Sequence, residues 1–156
     1  MKKLNALFGY GFLGGLVILV DQLTKWLALT KVAEPFKFNQ FVSFNVCFNR
    51  GISWGMLNSD STNVFVIVTF LIFLVCCGFA WHAYNQFKNE KSVVLETLII
   101  SGAISNIIDR FVYSGVVDFI VLSYNGWAWP TFNIADAVIV FGVFSLLFVE
   151  TFGRQK

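Results

Sequence analysis

Four apolar runs organise this chain, over residues of about 4–29, 64–81, 93–108 and 134–152. A helix needs roughly 20 such residues to cross a bilayer. The first run is free of charge until Asp21, and the second holds no charged residue and a single threonine, Thr69. The third carries Glu96 near its start, and the fourth has Asp136 at one end and Glu150 at the other. Charged residues make up 13% of the chain and hydrophobic ones 57%, where soluble domains carry about 25% charged residues. A water-soluble fold could not cover that much apolar surface. The sequence therefore predicts an all-α membrane protein of four transmembrane helices in one domain, residues 1–156, with external segments at about 30–63 and 109–133.

Met1-Lys2-Lys3 before an apolar run has the look of a cleavable leader. No small-x-small site follows Val20, however, and the chain continues Asp21-Gln22-Leu23-Thr24-Lys25, so the first span is expected to be retained. An even number of spans puts both termini on one side. That side holds Lys2, Lys3, Lys88, Lys91, Arg154 and Lys156; the other holds Lys25, Lys31, Lys37, Arg50 and Arg110. The first set is the larger, more clearly so once Lys25 and Arg110 are set aside as paired helix-end residues. Positive charge favours the cytoplasm, so the termini are expected there. All the aspartates (Asp21, Asp60, Asp109, Asp118 and Asp136) then fall outside, while Glu90, Glu96 and Glu150 fall inside.

In the first external segment Phe44, Val46 and Phe48 alternate with Asn45, Cys47 and Asn49, which is strand periodicity. After Gly51, residues 52–57 suit a short interfacial helix around Trp54. In the second, the run from Val116 to Leu122 is broken only by Asp118, and Trp127 and Trp129 suit the headgroup layer.

Ionisable groups at membrane depth cost about 2.5–3.5 kcal/mol each on insertion scales, which makes them functional candidates. Asp21 and Lys25, spaced i, i+4, read as an ion pair anchoring a helix end. Asn106 and Asp109 share a helix face beside Arg110, and scaffolding or substrate positioning suits them better than acid–base work. Asp118 stands alone among Val116, Val117, Phe119 and Ile120, where burial would raise its pKa by desolvation. Asp136 falls at N3 of a helix that Asn133 could cap, a placement that by itself needs no chemistry. Were Asp118 and Asp136 to meet, they would share a proton. One could then activate water while the other donates to a scissile carbonyl.

Other chemistries lack the residues. A net charge of +2 without a basic stripe excludes nucleic acid. His82 is the sole histidine and the cysteines (Cys47, Cys76, Cys77) are unspaced, so no zinc site is available. A Ser–His protease would need a serine near His82, which falls in the loop expected between spans two and three. A transporter remains a rival reading, but it predicts acids spread through the membrane depth rather than gathered at one face.

At these residues the chain resembles the lipoprotein signal peptidases (signal peptidase II) over nearly its whole length. The blocks Asp21-Gln-Leu-Thr-Lys25, Asn49-Arg-Gly51-Ile-Ser-Trp-Gly55, Gly102-Ala-Ile-Ser-Asn106-Ile-Ile-Asp109-Arg110, Val116-Val-Asp118-Phe119 and Phe132-Asn133-Ile-Ala135-Asp136 occur in order. The resemblance implies an aspartyl peptidase of the bacterial inner membrane, with Asp118 and Asp136 as its catalytic pair at the periplasmic face. It implies cleavage of prolipoproteins just before a diacylglyceryl-modified cysteine. Asn49, Gly51, Asn106, Arg110 and Asn133 would line or order the substrate site, with Asp21, Lys25 and Asp109 in support. The external strand would form a small β cradle and the Trp54 segment a lid. No metal or organic cofactor is implied, and the enzyme is expected to act as a monomer among membrane lipids. Ser105 departs from the pattern, standing where the family usually has glycine; it is expected to tighten helix packing without touching the chemistry.

Overall fold

The structure, a computed structural model, describes residues 1–51 and 59–153. The interfacial helix and lid expected around Trp54 lie outside the described residues. The described residues form four helices: α1 (Lys2–Lys31), α2 (Thr62–Lys88), α3 (Val94–Tyr113) and α4 (Ile134–Phe152). Among the described residues, α1, α2 and α4 are long and apolar enough to cross a membrane. They turn side chains such as Phe12, Phe70 and Phe144 outward, as lipid-facing helices do.

α3 differs for a physical reason. It packs against α1, α2 and α4 together, so it is the helix with most protein around it. It buries Glu96, Ser101, Ser105, Asp109 and Arg110; Ser101 donates back to carbonyls of its own helix, and the other four find partners outside it rather than facing lipid. Its approach to α4 is made by glycines. A Cβ on Gly102 would lie 2.8 Å from Ile139 Cγ1 and 2.9 Å from the Ala135 carbonyl oxygen. A Cβ on Gly142 would lie 2.7 Å from Ile99 Cγ1. Small residues at such crossings let helix backbones come close where no hydrophobic effect drives them together.

Three of the helices outrun the apolar runs that announce them, while α4 coincides with its run. α2 continues from Trp81 to Lys88, so His82 is helical and not in a loop as the sequence suggests. Its ring bridges to α3 and α4, with Nδ1 3.1 Å from Glu96 and Nε2 3.4 Å from Glu150. α3 likewise runs five residues past Ile108 and stops where Ser114 takes a left-handed conformation, φ 56°.

Between the helices lies one antiparallel sheet, in the order β1 (Phe36–Lys37), β2 (Val42–Asn49), β3 (Val116–Tyr124) and β4 (Trp127–Ala128). Asn125 and Gly126, both at positive φ, turn β3 into β4, the two-residue hairpin signature. Cys47 pairs with Asp118 and Phe44 with Ile120, so β2 carries an extra residue opposite Phe119. Such a bulge bends the strand and re-aims nearby side chains, and this one adjoins Asp118.

Candidate active site

Asp118 enters from β3 and Asp136 from the first turn of α4, and Asn133 touches both. Its side-chain Nδ2 donates to Asp118 Oδ1 at 2.7 Å, and its Oδ1 accepts from the Asp136 backbone N at 2.9 Å. Its own backbone N reaches Asp136 Oδ2 at 3.4 Å, completing a capping box. The helix cap expected from the sequence therefore forms. The same residue that caps α4 also holds the second carboxylate, so capping and chemistry are not competing explanations here.

Each carboxylate takes a second amide. Asn49 Nδ2, on β2, donates to Asp118 Oδ2 at 3.1 Å, and Asn106 Nδ2, on α3, donates to Asp136 Oδ1 at 2.8 Å. Asp118 is 1% exposed, whereas Asp136 is half-buried and open to a cavity. Burial and the adjacent Asp136 charge push the Asp118 carboxyl up to about 7, against the opposing pull of the Asn49 and Asn133 hydrogen bonds and Lys25.

Beneath the pair lies a buried ionic core. Lys25 Nζ contacts Asp21 at 2.6 Å, Asp109 at 2.7 Å and Asn106 Oδ1 at 2.8 Å. An ammonium has three protons to donate, and these contacts use them all. Holding Asn106 Oδ1 fixes which way its amide faces, and so aims its Nδ2 at Asp136. Asp109 accepts from Gln22 on one oxygen and from Lys25 and the Val117 backbone N on the other, which engages both oxygens and supports scaffolding over chemistry.

Arg110 completes the wall. It donates to the carbonyl oxygens of Arg50, at 3.2 Å, and Gly51, which ties α3 to the end of β2. Its guanidinium also lies over the Phe65 ring, 5.4 Å from the centroid. Two cavities flank Asp136 and Asn49. One of about 360 Å³ is lined chiefly by apolar groups, including Leu122, Trp129, Phe132 and Val140. The other, of about 180 Å³, reaches Asn106, Arg110 and Gly51.

A signal peptidase (SPase) II family model matches residues 13–152. The chain belongs to the signal peptidase II family. Lipoprotein signal peptidases of Polynucleobacter necessarius and Thermodesulfovibrio yellowstonii are 33% and 38% identical to it, over 99% and 86% of this chain and 98% and 87% of theirs. Two solved bacterial membrane enzymes superpose with TM-scores of 0.71 and 0.69 at 26% identity, over 95% and 90% of this chain and 93% and 91% of theirs. As a member of that family the chain is a multi-pass transmembrane protease of lipoprotein processing.

All ten residues singled out in the sequence (Asp21, Lys25, Asn49, Gly51, Asn106, Asp109, Arg110, Asp118, Asn133 and Asp136) converge at this one end of the fold. Two others belong with them. Gln22 and Ser105 bond into the ionic core. A polar Gln22 inside an apolar span was the available signal for the first. For Ser105 the expectation of packing alone is too narrow, because its hydroxyl donates to Asp21 Oδ2 at 2.8 Å.

Proposed function

We propose that this chain is an aspartic endopeptidase that removes signal peptides from diacylglyceryl-modified prolipoproteins, cutting before the lipidated cysteine. The observation that carries this reading is the pair of carboxylates bridged by Asn133, one buried and the other facing a cavity. Two adjacent carboxylates share a proton and titrate as one unit. The ionised member takes a proton from water, whose oxygen attacks the scissile carbonyl carbon. The protonated member donates to the carbonyl oxygen. Collapse of the tetrahedral intermediate breaks the C–N bond, and the departing cysteine nitrogen takes a proton from the dyad.

In this reading α3 is a fourth span, both termini are cytoplasmic and the dyad sits at the periplasmic face of the inner membrane. A substrate anchored by its acyl chains then reaches the site by lateral diffusion. Its acyl chains leave lipid rather than water, so what they add to affinity comes from packing against the protein. The larger cavity beside Asp136, with Leu122, Phe132 and Val140 on its wall, supports apolar substrate groups next to the cleavage point. The enzyme works as a monomer without a cofactor.

The test is cleavage of a diacylglyceryl-modified prolipoprotein by purified wild type, Asp118→Asn and Asp136→Asn in detergent. Wild type should cut before the lipidated cysteine, and both folded variants should be inactive. Near-normal activity in either variant would remove that aspartate from the mechanism and turn attention to Asp109.

A further inference from the structure

Each aspartate of the proposed dyad is preceded by a residue whose backbone N–H is held by a carboxylate of the ionic core. The Ala135 N–H, just before Asp136, donates to Asp21 Oδ1 at 2.8 Å. The Val117 N–H, just before Asp118, donates to Asp109 Oδ2 at 3.1 Å. The separation of Asp21 and Asp109 therefore sets where β3 and α4 begin, and with them the relative placement of the two reacting carboxyls.

Two connections join Asp21 to Asp109. The ionic one runs through Lys25. The neutral one runs through Ser105 and Gln22. Ser105 Oγ donates to Asp21 Oδ2 at 2.8 Å, and Gln22 Nε2 reaches both Ser105 Oγ at 3.1 Å and Asp109 Oδ1 at 2.7 Å. The result is a closed ring across α1 and α3. Its neutral arm is not redundant, because a lysine ammonium is a rotating point charge that tolerates many carboxylate orientations. A hydroxyl and an amide are directional. With Ala135 N on one oxygen and Ser105 Oγ on the other, the plane of the Asp21 carboxylate is fixed. Gln22 and Val117 N fix Asp109 in the same way.

We infer that Gln22 and Ser105 are positioning residues for the hydrolysis, holding the dyad geometry through Asp21 and Asp109 without touching substrate. The inference rests on the dyad reading above.

Ser105→Ala and Gln22→Met delete the bonding groups without adding bulk. Both, and the double variant, should be assayed in detergent on the lipidated prolipoprotein, with Tm recorded and Asp118→Asn and Asp136→Asn run alongside. The expected result is kcat lowered about ten-fold in each single variant, as for small misplacements of reacting groups. KM should hold, the pH profile of kcat should shift, and the double variant should be little worse than either single one, because both cut the same arm. Unchanged kcat and pH profile with a lowered Tm would reduce the pair to a structural role and overturn the inference. So would a rise in KM alone, or losses that multiply independently. If these variants behave as wild type while both Asn variants are dead, only the positioning role fails. If the Asn variants stay active, the dyad reading falls and this inference falls with it.

Discussion

Asp118 is a carboxyl that holds its proton close to neutrality. Burial drives it up to about 7, with the Asp136 charge adding to the effect. In the proposed dyad the shared proton is held below that value and lost above it. Hydrolysis that needs the proton should therefore decline as pH rises past about 7, and a kcat–pH profile on the lipidated substrate checks this. The same shift has a stability consequence. The folded chain binds more protons than the unfolded one between the ordinary carboxylate range and about 7, so Asp118 favours folding less as pH rises through that window. Replacing it with Asn removes the dependence. The Tm of Asp118→Asn relative to wild type should accordingly be higher at pH 8 than at pH 5. Lys25 gives a second prediction of the opposite kind. Lys25→Met leaves Asp21 and Asp109, both wholly buried, without their cation. Removing one partner of a buried pair costs about 3–5 kcal/mol, which thermal unfolding in detergent would register as a large fall in Tm. Isolated charges in apolar sequence made Asp118, Asp136 and Lys25 conspicuous. Ser105 and Gln22 were not conspicuous as partners, because a serine in a helix and a glutamine beside an aspartate have many innocuous uses. Only the crossing of α1 and α3 gives them one purpose.

The helices were legible from their apolar runs, yet the runs understate α1, α2 and α3. Hydrocarbon thickness governs where apolar residues stop, whereas backbone hydrogen bonding governs where a helix stops. α2 therefore carries His82 and Lys88 beyond its apolar stretch. The alternation of residues 44–49 signalled β2, but the bulge opposite Phe119 depends on how two distant strands register, which alternation in either one does not encode. At this scale the α3–α4 contact is the sensitive one. Gly102→Ala places a carbon 2.9 Å from the Ala135 carbonyl oxygen, a backbone atom that cannot swing aside. Relieving that contact moves the start of α4, where Asp136 sits. Overpacking of this kind costs about 1–3 kcal/mol, but activity should suffer more than stability, by about ten-fold for a shift of a fraction of an ångström. Gly9→Ala meets nothing within 4 Å and serves as the control. Equal kcat in the two variants would mean that the α3–α4 spacing does not set the site.

For the molecule as a whole, the question is which end faces which compartment. The proposed dyad, the sheet and the aromatic residues Trp127 and Trp129 gather at one end. The other end holds the Lys3–Glu90 ion pair and the contacts of His82 with Glu96 and Glu150. Basic residues favour the cytoplasmic side through the cost of moving them across during insertion, and Lys2, Lys3, Lys88 and Lys91 lie at the end away from the dyad. That argument alone is modest, because Lys31, Lys37 and Arg50 lie at the dyad end. Substrate chemistry adds the independent constraint, since a lipid-anchored prolipoprotein presents its cleavage point at the membrane surface it was exported across. Both arguments give the same orientation, which labelling tests directly. With Cys47, Cys76 and Cys77 replaced by serine or alanine, a cysteine at the exposed Gln40 should react with a membrane-impermeant maleimide on spheroplasts. A cysteine at Lys91, between α2 and α3, should react only after the membrane is permeabilised. The reverse pattern would put the dyad in the cytoplasm, where an exported substrate could not meet it. Labelling of both sites without permeabilisation would mean an even number of crossings between them, and α2, the helix that separates residues 40 and 91, would then have to be withdrawn as a span.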